Sequence, residues 1–143
     1  APGKAPTFLV AALKDPQGAN LDRIQIVKGW LDASGTAQER VYDVAWAGER
    51  KPGKDGRLPP LGDTVDVARA TYTNTIGAAE LATAWKDPDF EPGQRAFYYA
   101  RVIEIPTPRW TAYDQVRFGV KMSEDVPMKQ QERAWTSPIW YTP

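Results

Sequence analysis

Cysteine and histidine, two residue types that carry much of enzyme chemistry, are absent from this sequence of 143 residues. Without cysteine no disulfide can hold the fold, and the redox compartment cannot be read from the chain. Without histidine, an imidazole general base, a histidine-based catalytic triad and a histidine zinc site are excluded. Catalysis that depends on either residue is therefore impossible within this chain alone.

Long apolar runs are also missing, since none approaches the roughly 20 residues that a bilayer-spanning helix needs. The N-terminal APGKAP lacks the charged and then apolar layout of a signal peptide, and residues 1–7 are interpreted as a linker. Lysine plus arginine and aspartate plus glutamate each number 18. A balanced chain has no basic field that would draw nucleic acid or an anionic membrane. The sequence does not decide the cellular location of the protein, and export to the periplasm is among the alternatives left open.

The residues that are present indicate a single β-rich domain. Hydrophobic residues make up 42% and charged residues 25% of the chain, which is ordinary globular usage. The length suits one core and not two. Six Trp and six Tyr are separated by 13 Pro and 11 Gly, a punctuation typical of many short strands. We therefore predict one β domain over residues 8–143.

Two alternating runs, DRIQIVKGWLD and QERVYDVAWAG, surround a Ser-Gly-Thr turn and predict an antiparallel hairpin. In the first run Ile24, Ile26 and Trp30 share one face. In the second run Trp46 shares a face with Tyr42 and Val44, which predicts a core position for it. Further strands are predicted at residues 7–13, 64–73, 78–85, 96–105 and 116–122, and around Ile139 and Trp140.

The run over residues 96–105 is apolar on both faces, which predicts a strand in the middle of a sheet with cover on each side. Pro106 ends its pairing, and residues 49–62 form a charged surface loop rich in glycine and proline. These signals predict an all-β antiparallel sandwich with long loops. The mid-strand Trp46, together with a Tyr98 placed like a tyrosine corner, favours an immunoglobulin-like version.

Two groups of carboxylates lie close together in the sequence, as they do in metal-binding and catalytic sites. Asp15, Asn20 and Asp22 depart from the spacing of a calcium loop, so a turn with side-chain-to-backbone bonds is favoured. A second group, interpreted as a solvated turn in a proline-broken loop, comprises Asp87, Asp89 and Glu91. Ser137 has no histidine to activate it. No catalytic residue and no metal ligand is predicted in this chain.

The segment PTPRWTAYD is the best candidate for a binding site. It follows the predicted central strand, and we expect it to form a loop at one end of the sandwich. Arg109 offers a planar fork for a carboxylate, phosphate or sulfate, while Trp110 and Tyr113 offer stacking faces. The alternative is an ordinary loop whose aromatic rings close the end of the sandwich, with Arg109 stacked on one of them.

Five segments, in order and spacing, carry a family resemblance: RIQIVKGWLD, VYDVAWAG, TYTNTIGAAELATAW, FYYARVIEIPTPRWTAYD and TSPIWYTP. From about Phe8 to Pro143 the chain resembles the C-terminal portion of a bacterial family catalogued as domain of unknown function 3604. Members of that family resemble metal-dependent hydrolases of the polymerase-and-histidinol-phosphatase (PHP) superfamily.

The resemblance implies an accessory, substrate-side β domain of a hydrolase that acts on phosphate- or sulfate-type esters. An N-terminal catalytic domain of the same polypeptide would be its partner and would hold a divalent metal. This chain would carry no cofactor and would be inert alone. The alternative is a free-standing module that binds a carbohydrate or another protein through its aromatic surface. The sequence leaves the substrate, the metal and the oligomeric state open.

Overall fold

A computed structural model describes residues 3–143, which form nine strands and one helix. The elements are β1 Thr7–Leu13, β2 Leu21–Leu31, β3 Ala37–Trp46, β4 Glu80–Lys86, β5 Ala96–Glu104, β6 Thr107–Pro108, α1 Trp110–Phe118, β7 Lys129–Gln130, β8 Arg133–Trp135 and β9 Ile139–Tyr141. Every pair of these strands is antiparallel, which confirms the predicted all-β antiparallel class. The first two residues of the predicted linker lie outside the described residues.

The strands form two layers around one core. The large sheet has the order β3-β2-β5-β8, with β9 also paired to β5, and β1 and β4 form a two-stranded ribbon. The ribbon covers what we call the inner face of the large sheet, where Ile26 and Tyr98 are 2% and 1% exposed. Phe8 and Val10 of β1 and Trp85 of β4 pack against these residues. The arrangement is sandwich-like, and a separate pair, β6 and β7, lies beside it.

The predicted hairpin is confirmed as β2 and β3. Its turn is held by Asp32, whose Oδ1 accepts hydrogen bonds from the backbone N–H groups of Ser34 and Thr36. The Ser34 hydroxyl donates to the same atom, and these bonds lower the pKa of Asp32 to about 2. Gly35 has φ 80°, a conformation that suits glycine in such a turn.

The prediction for Trp46 is wrong because the hairpin contains a bulge. The β2–β3 register shifts between Ile24 and Gln25, so β3 changes phase near its end. Trp46 then lies opposite Arg23, while Tyr42 lies opposite the inward Ile26. Trp46 is therefore half-buried on the other face, where its indole donates to the carbonyl of Arg50 at 2.9 Å.

β5 occupies the centre of the large sheet, with β2 on one side and β8 and β9 on the other. This part of the prediction is confirmed. The expected cover on both faces is wrong, because alternate residues Phe97 and Tyr99 are only half-buried on the outer face. The ribbon covers one side of β5, whereas on the other side the rings of Phe97 and Tyr99 stay partly exposed although Ile103 further along the strand is buried.

Two predicted strands do not form. Within residues 64–73 there is a single bridge, between Asp66 and Thr71. Residues 110–118 form helix α1 where a loop and part of a strand were predicted. Pro106 ends the β5 ladder, and Thr111 anchors the new helix by donating to the carbonyl of Pro127 at 2.6 Å. Gly119, at φ 64°, ends it in the left-handed conformation.

α1 is the one helix among residues 3–143, and it has nine residues. None of the described helical structure has the length and hydrophobicity to cross a membrane.

Candidate functional site

The predicted site residues lie at the start of α1, beside a shallow cleft of about 330 Å³. We call it the α1 cleft and define it by Tyr72, Glu104, Trp110, Tyr113 and Glu132. Trp110 and Tyr113 stand one turn apart on the helix and are 58% and 47% exposed. The structure therefore brings these two predicted residues together on one open wall.

Arg109 does not line this cleft. It takes the N-cap position of α1 with φ −78° and ψ 161°, and makes no side-chain cap hydrogen bond. Its guanidinium carbon lies 5.8 Å from the centre of the Trp110 ring, a cation–π contact. Arg109 stacked on an aromatic ring is the arrangement that the alternative interpretation described, although the residues form a helix and not a loop.

Glu104 and Glu132 are members of the α1 cleft that sequence reasoning missed. The amide of Glu104 donates to the carbonyl of Glu132 at 3.0 Å, so the end of β5 and the segment before β8 are held side by side. Burial raises the pKa of Glu104, and the charge of Glu132 raises it further. No lysine or arginine is among the described residues that line the cleft. A cleft of this chemistry suits a neutral or cationic ligand and disfavours an anion.

The outer face of the large sheet carries a larger apolar surface, which we call the aromatic face: Phe97, Tyr99, Trp135 and Trp140. Trp135 and Trp140 are 59% and 72% exposed. The Phe97 ring lies 6.5 Å from the Tyr99 ring at an interplanar angle of 8°, and 5.2 Å from the Trp140 ring. Trp140 pairs with Phe97 across β9 and β5, and Trp135 pairs with Arg101 across β8 and β5.

Gly29 makes room for this surface. A Cβ added at Gly29 would lie 2.3 Å from the Phe97 Cζ, so any side chain there would displace the ring. A groove of about 570 Å³ continues from Phe97 and Trp140 past Leu31, with Glu39 and Arg95 along it. A second groove of about 340 Å³ lies between Trp135, Pro138 and Trp140. The aromatic face is thus the floor of two adjoining grooves.

In the second carboxylate group the prediction of a solvated turn is wrong for Asp87, whereas Asp89 and Glu91 are exposed. Asp87 is buried and forms an ion pair with Lys28 at 2.7 Å. The Tyr98 hydroxyl donates to the same Asp87 oxygen, Oδ2, at 2.7 Å. This side-chain bond replaces the backbone bond that a tyrosine corner would make. Asp89 accepts the Tyr42 hydroxyl at 2.7 Å and pairs with Arg40 at 2.8 Å.

These contacts make the network part of the fold. Lys28 lies between Ile26 and Trp30 on the inner face, and a buried ammonium needs a carboxylate partner. Burial raises the pKa of the Tyr98 and Tyr42 hydroxyls, and the bonds to Asp87 and Asp89 raise them further. Both tyrosines therefore stay neutral and donate to these carboxylates, of which Asp87 is buried and Asp89 is exposed.

In the first carboxylate group only Asp15 behaves as predicted, because the Asn20 side chain donates to the distant carbonyls of Asn74 and Ile76. Asp15 Oδ1 accepts the backbone N–H of Gln17 at 2.8 Å, which is a side-chain-closed turn. Asp22 points elsewhere and pairs with Arg50 at 2.6 Å. Across residues 3–143 no three acidic side chains come together in a way that could hold a metal ion.

Comparison with known proteins gives one match. The family model described as a protein of unknown function, DUF3604, matches residues 1–143. No curated protein and no solved structure matches the sequence. Because that family model spans the whole chain, the sandwich, the α1 cleft and the aromatic face are features of a protein that belongs to the DUF3604 family.

Proposed function

We propose that this chain is a non-catalytic β domain that docks against a catalytic domain of the same polypeptide through its aromatic face. The catalytic partner would be a PHP-like, bacterial metal-dependent hydrolase of phosphate- or sulfate-type esters, with this chain as its C-terminal, substrate-side domain. The divalent metal would belong to the partner domain. The aromatic face is the observation that carries the proposal.

The apolar character of this face supports a protein partner. Phe97, Tyr99, Trp135 and Trp140 are contiguous, while isolated exposed apolar residues are normal on any protein. Aromatic residues, tryptophan above all, are enriched where interfaces concentrate their binding energy. Glu39 and Arg95 beside the apolar floor are suited to a polar rim.

The buried ionisable groups support a non-catalytic role. Lys28 and Asp87 are paired with each other, as are Arg50 and Asp22. A general base or nucleophile has to reach a substrate, and the Lys28–Asp87 pair is enclosed in the core. The exposed Ser137 has no imidazole to activate it anywhere in the chain.

The test is hydroxyl-radical footprinting of the 143-residue chain and of the longer polypeptide that we infer. Trp135 and Trp140 should be labelled readily in the short chain and be at least about fivefold protected in the longer one, as expected when an exposed ring enters an interface core. Trp110, which lies outside the aromatic face, serves as the internal reference. Equal labelling of Trp135 and Trp140 in both proteins would show that no domain covers this face.

A glycine pair refines the experiment without removing any aromatic residue. Gly29→Ala should displace the Phe97 ring and reduce the protection of Trp140 in the longer protein. Gly93→Ala is the matched control, because a Cβ at Gly93 meets nothing within 4 Å. Unchanged protection in Gly29→Ala would mean that the shape of the aromatic face does not matter for docking.

The α1 cleft favours a second candidate, a carbohydrate-binding module. Trp110 and Tyr113 offer ring faces to a sugar, and Glu104, Gln130 and Glu132 offer acceptors or donors for hydroxyl groups. Titration with neutral oligosaccharides, followed by tryptophan fluorescence, should show binding that Trp110→Ala abolishes and Trp140→Ala leaves intact. The absence of any saturable change would remove this candidate.

The predicted contact between Arg109 and an anionic substrate stays a prediction, and the α1 cleft limits the side from which the anion could approach. The carboxylates of the α1 cleft would repel a phosphate or sulfate, so an anion would have to approach Arg109 from outside the cleft, on the side away from Glu104. Arg109→Ala in the longer protein should then reduce turnover without lowering the melting temperature. Unchanged turnover would leave Arg109 as a helix-end residue that packs on Trp110.

A further inference from the structure

The two edges of the ribbon differ, and the free edge of β1 has no protection. β1, Thr7–Leu13, pairs with β4 alone. Its sequence TFLVAAL contains no charge, no proline and no glycine, and its register with β4 runs without a bulge. β4 carries Glu80 and Lys86 at its two ends. Because bare strand edges pair with other chains, proteins guard them with charges, prolines or bulges, and β1 has none of these.

Hydrogen bonding identifies the outward backbone groups of β1. The amide of Lys14 donates to Ala79 and the amide of Asp87 donates to Pro6, so even-numbered residues face β4. Bonded and non-bonded positions alternate in an antiparallel pair. The N–H and C=O groups that point away from β4 therefore belong to Thr7, Leu9, Ala11 and Leu13. No other strand among residues 3–143 pairs with them.

A cleft of about 240 Å³ lies along this edge. One wall is β1, the floor includes Ile26, Tyr98 and Ala100, and the far side is formed by Thr136, Ser137 and Ile139. Ile26 and Tyr98 belong to the main core, so the floor of this cleft is part of that core. We call this space the edge cleft. A strand added to β1 would direct every second side chain into it.

The edge cleft is bounded on its far side by β9, the strand paired with β5. The large sheet continues beneath it, since β5 contributes to the floor and Ile139 of β9 to the far side. Two copies of this chain joined edge to edge through β1 would bring these overhanging parts of their large sheets into collision. A single extended segment meets no such obstacle.

We propose that the free edge of β1 binds an extended peptide segment of a partner protein, which joins the ribbon as a third strand. Its backbone would bond to Thr7, Leu9, Ala11 and Leu13, and its apolar side chains, at every second position, would fill the edge cleft. This is strand addition, in which backbone bonds supply affinity and alternate side-chain positions supply selectivity. It requires no docking at the aromatic face.

The probe is a fluorescein-labelled peptide in which valine and threonine alternate, with one lysine at each end for solubility. Saturable binding to the 143-residue chain is expected by fluorescence anisotropy. Ala11→Pro removes an outward N–H and places a ring where the new strand would lie, so binding should weaken by about tenfold or more. Ala82→Pro is the matched control, because Ala82 lies opposite Ala11 and directs its N–H to the other edge of the ribbon. Its binding should stay within about twofold of the parent, since edge positions tolerate proline.

Leu9→Lys provides a second variant that leaves the backbone intact. Leu9 is 85% exposed, so a lysine there should not disturb the fold, but its charge should guard the edge and weaken binding of this lysine-capped peptide. No binding of the peptide to the parent chain, or equal loss in Ala11→Pro and Ala82→Pro, would overturn the proposal. Analytical ultracentrifugation tests whether a second copy of this chain binds the edge instead. A dimer of the parent chain that Ala11→Pro dissociates would show that β1 pairs with a second copy and not with a partner's segment.

Discussion

Tyr98 and Tyr99 are neighbours in β5, yet they serve opposite sides of the sheet. Tyr98 is 1% exposed, and its hydroxyl donates to Asp87 in the core beneath the ribbon. Tyr99 is half-buried on the outer face, where its ring runs parallel to that of Phe97 beside the exposed Trp135 and Trp140. One side of the strand is completed by the chain itself. The other side carries similar residues without such cover, which is why we assign stability to the first and binding to the second.

The inner side should give the largest effect on stability. Asp87→Ala would leave Lys28 buried at 3% side-chain exposure without its partner. Breaking one half of a buried ion pair typically costs about 3–5 kcal/mol. Urea unfolding of the 143-residue chain measures the loss. Asp89→Ala is the control, because its ion pair with Arg40 and its hydrogen bond from the Tyr42 hydroxyl are both exposed and should contribute about 1 kcal/mol or less each. Similar losses in the two variants would mean that the network is not buried in solution.

Much of the architecture could be predicted because strand alternation is a local signal. The faces of β2, the β2–β3 hairpin and the central place of β5 all follow from residues next to one another in the chain. The bulge near Ile24 was not visible, because its cause lies in pairing between strands, and it moved Trp46 to the other face. Helix α1 was missed because nine residues between a proline-rich segment and a glycine give a weak helical period.

The buried network was missed for a different reason. Lys28 and Asp87 lie 59 residues apart, so no local window contains both. One signal was available: Lys28 falls on the inner face of β2 between Ile26 and Trp30, and an inward lysine demands a carboxylate. The α1 cleft was predicted in part, through Trp110 and Tyr113. Its carboxylates come from segments that meet only in the folded chain.

Tyr98→Phe tests the contrast between the two tyrosines directly. The change removes a buried hydrogen bond to a charged group, which contributes about 1.5–3 kcal/mol. Tyr99→Phe removes a hydroxyl from the outer face, where surface changes usually stay within about 0.5 kcal/mol. Thermal and urea unfolding of the two variants give the comparison. If Tyr99→Phe lost as much as Tyr98→Phe, the outer hydroxyl would have a structural partner, and the two sides would not differ in this way.

The end of β5 adds a carboxylate whose strongest charged neighbour is another carboxylate. Burial and Glu132 raise the pKa of Glu104 above its ordinary 4.5, so the folded state binds this proton more tightly than the unfolded chain does. Its favourable contribution is complete below pH 4.5 and is lost as the pH rises through the raised pKa. Glu104→Gln should therefore stabilise the chain at pH 7, with no gain below pH 4.5.

Glu132→Gln provides the companion measurement. It removes the neighbouring charge that raises the pKa of Glu104 and leaves the burial of Glu104 unchanged. It should give a smaller gain at pH 7 than Glu104→Gln. Urea unfolding at several pH values records both variants. A loss of stability at pH 7 in Glu104→Gln would show that its charge is compensated in the folded protein and that the α1 cleft is not negative.

A substitution on the outer face should cause the smallest loss of unfolding free energy in the 143-residue chain and a larger loss in the longer protein. Trp140 is 72% exposed, so Trp140→Ser removes little beyond its contact with Phe97 and should cost about 1 kcal/mol or less in the 143-residue chain. In the longer polypeptide the same change would remove a tryptophan from the proposed interface, where such residues often contribute about 2 kcal/mol or more. Trp110→Ser, at 58% exposure in the α1 cleft, is the matched control and should cost little in both proteins. Unfolding curves of the three proteins in both lengths decide the matter: a cost for Trp140→Ser that does not grow with the longer chain would make the outer face ordinary surface.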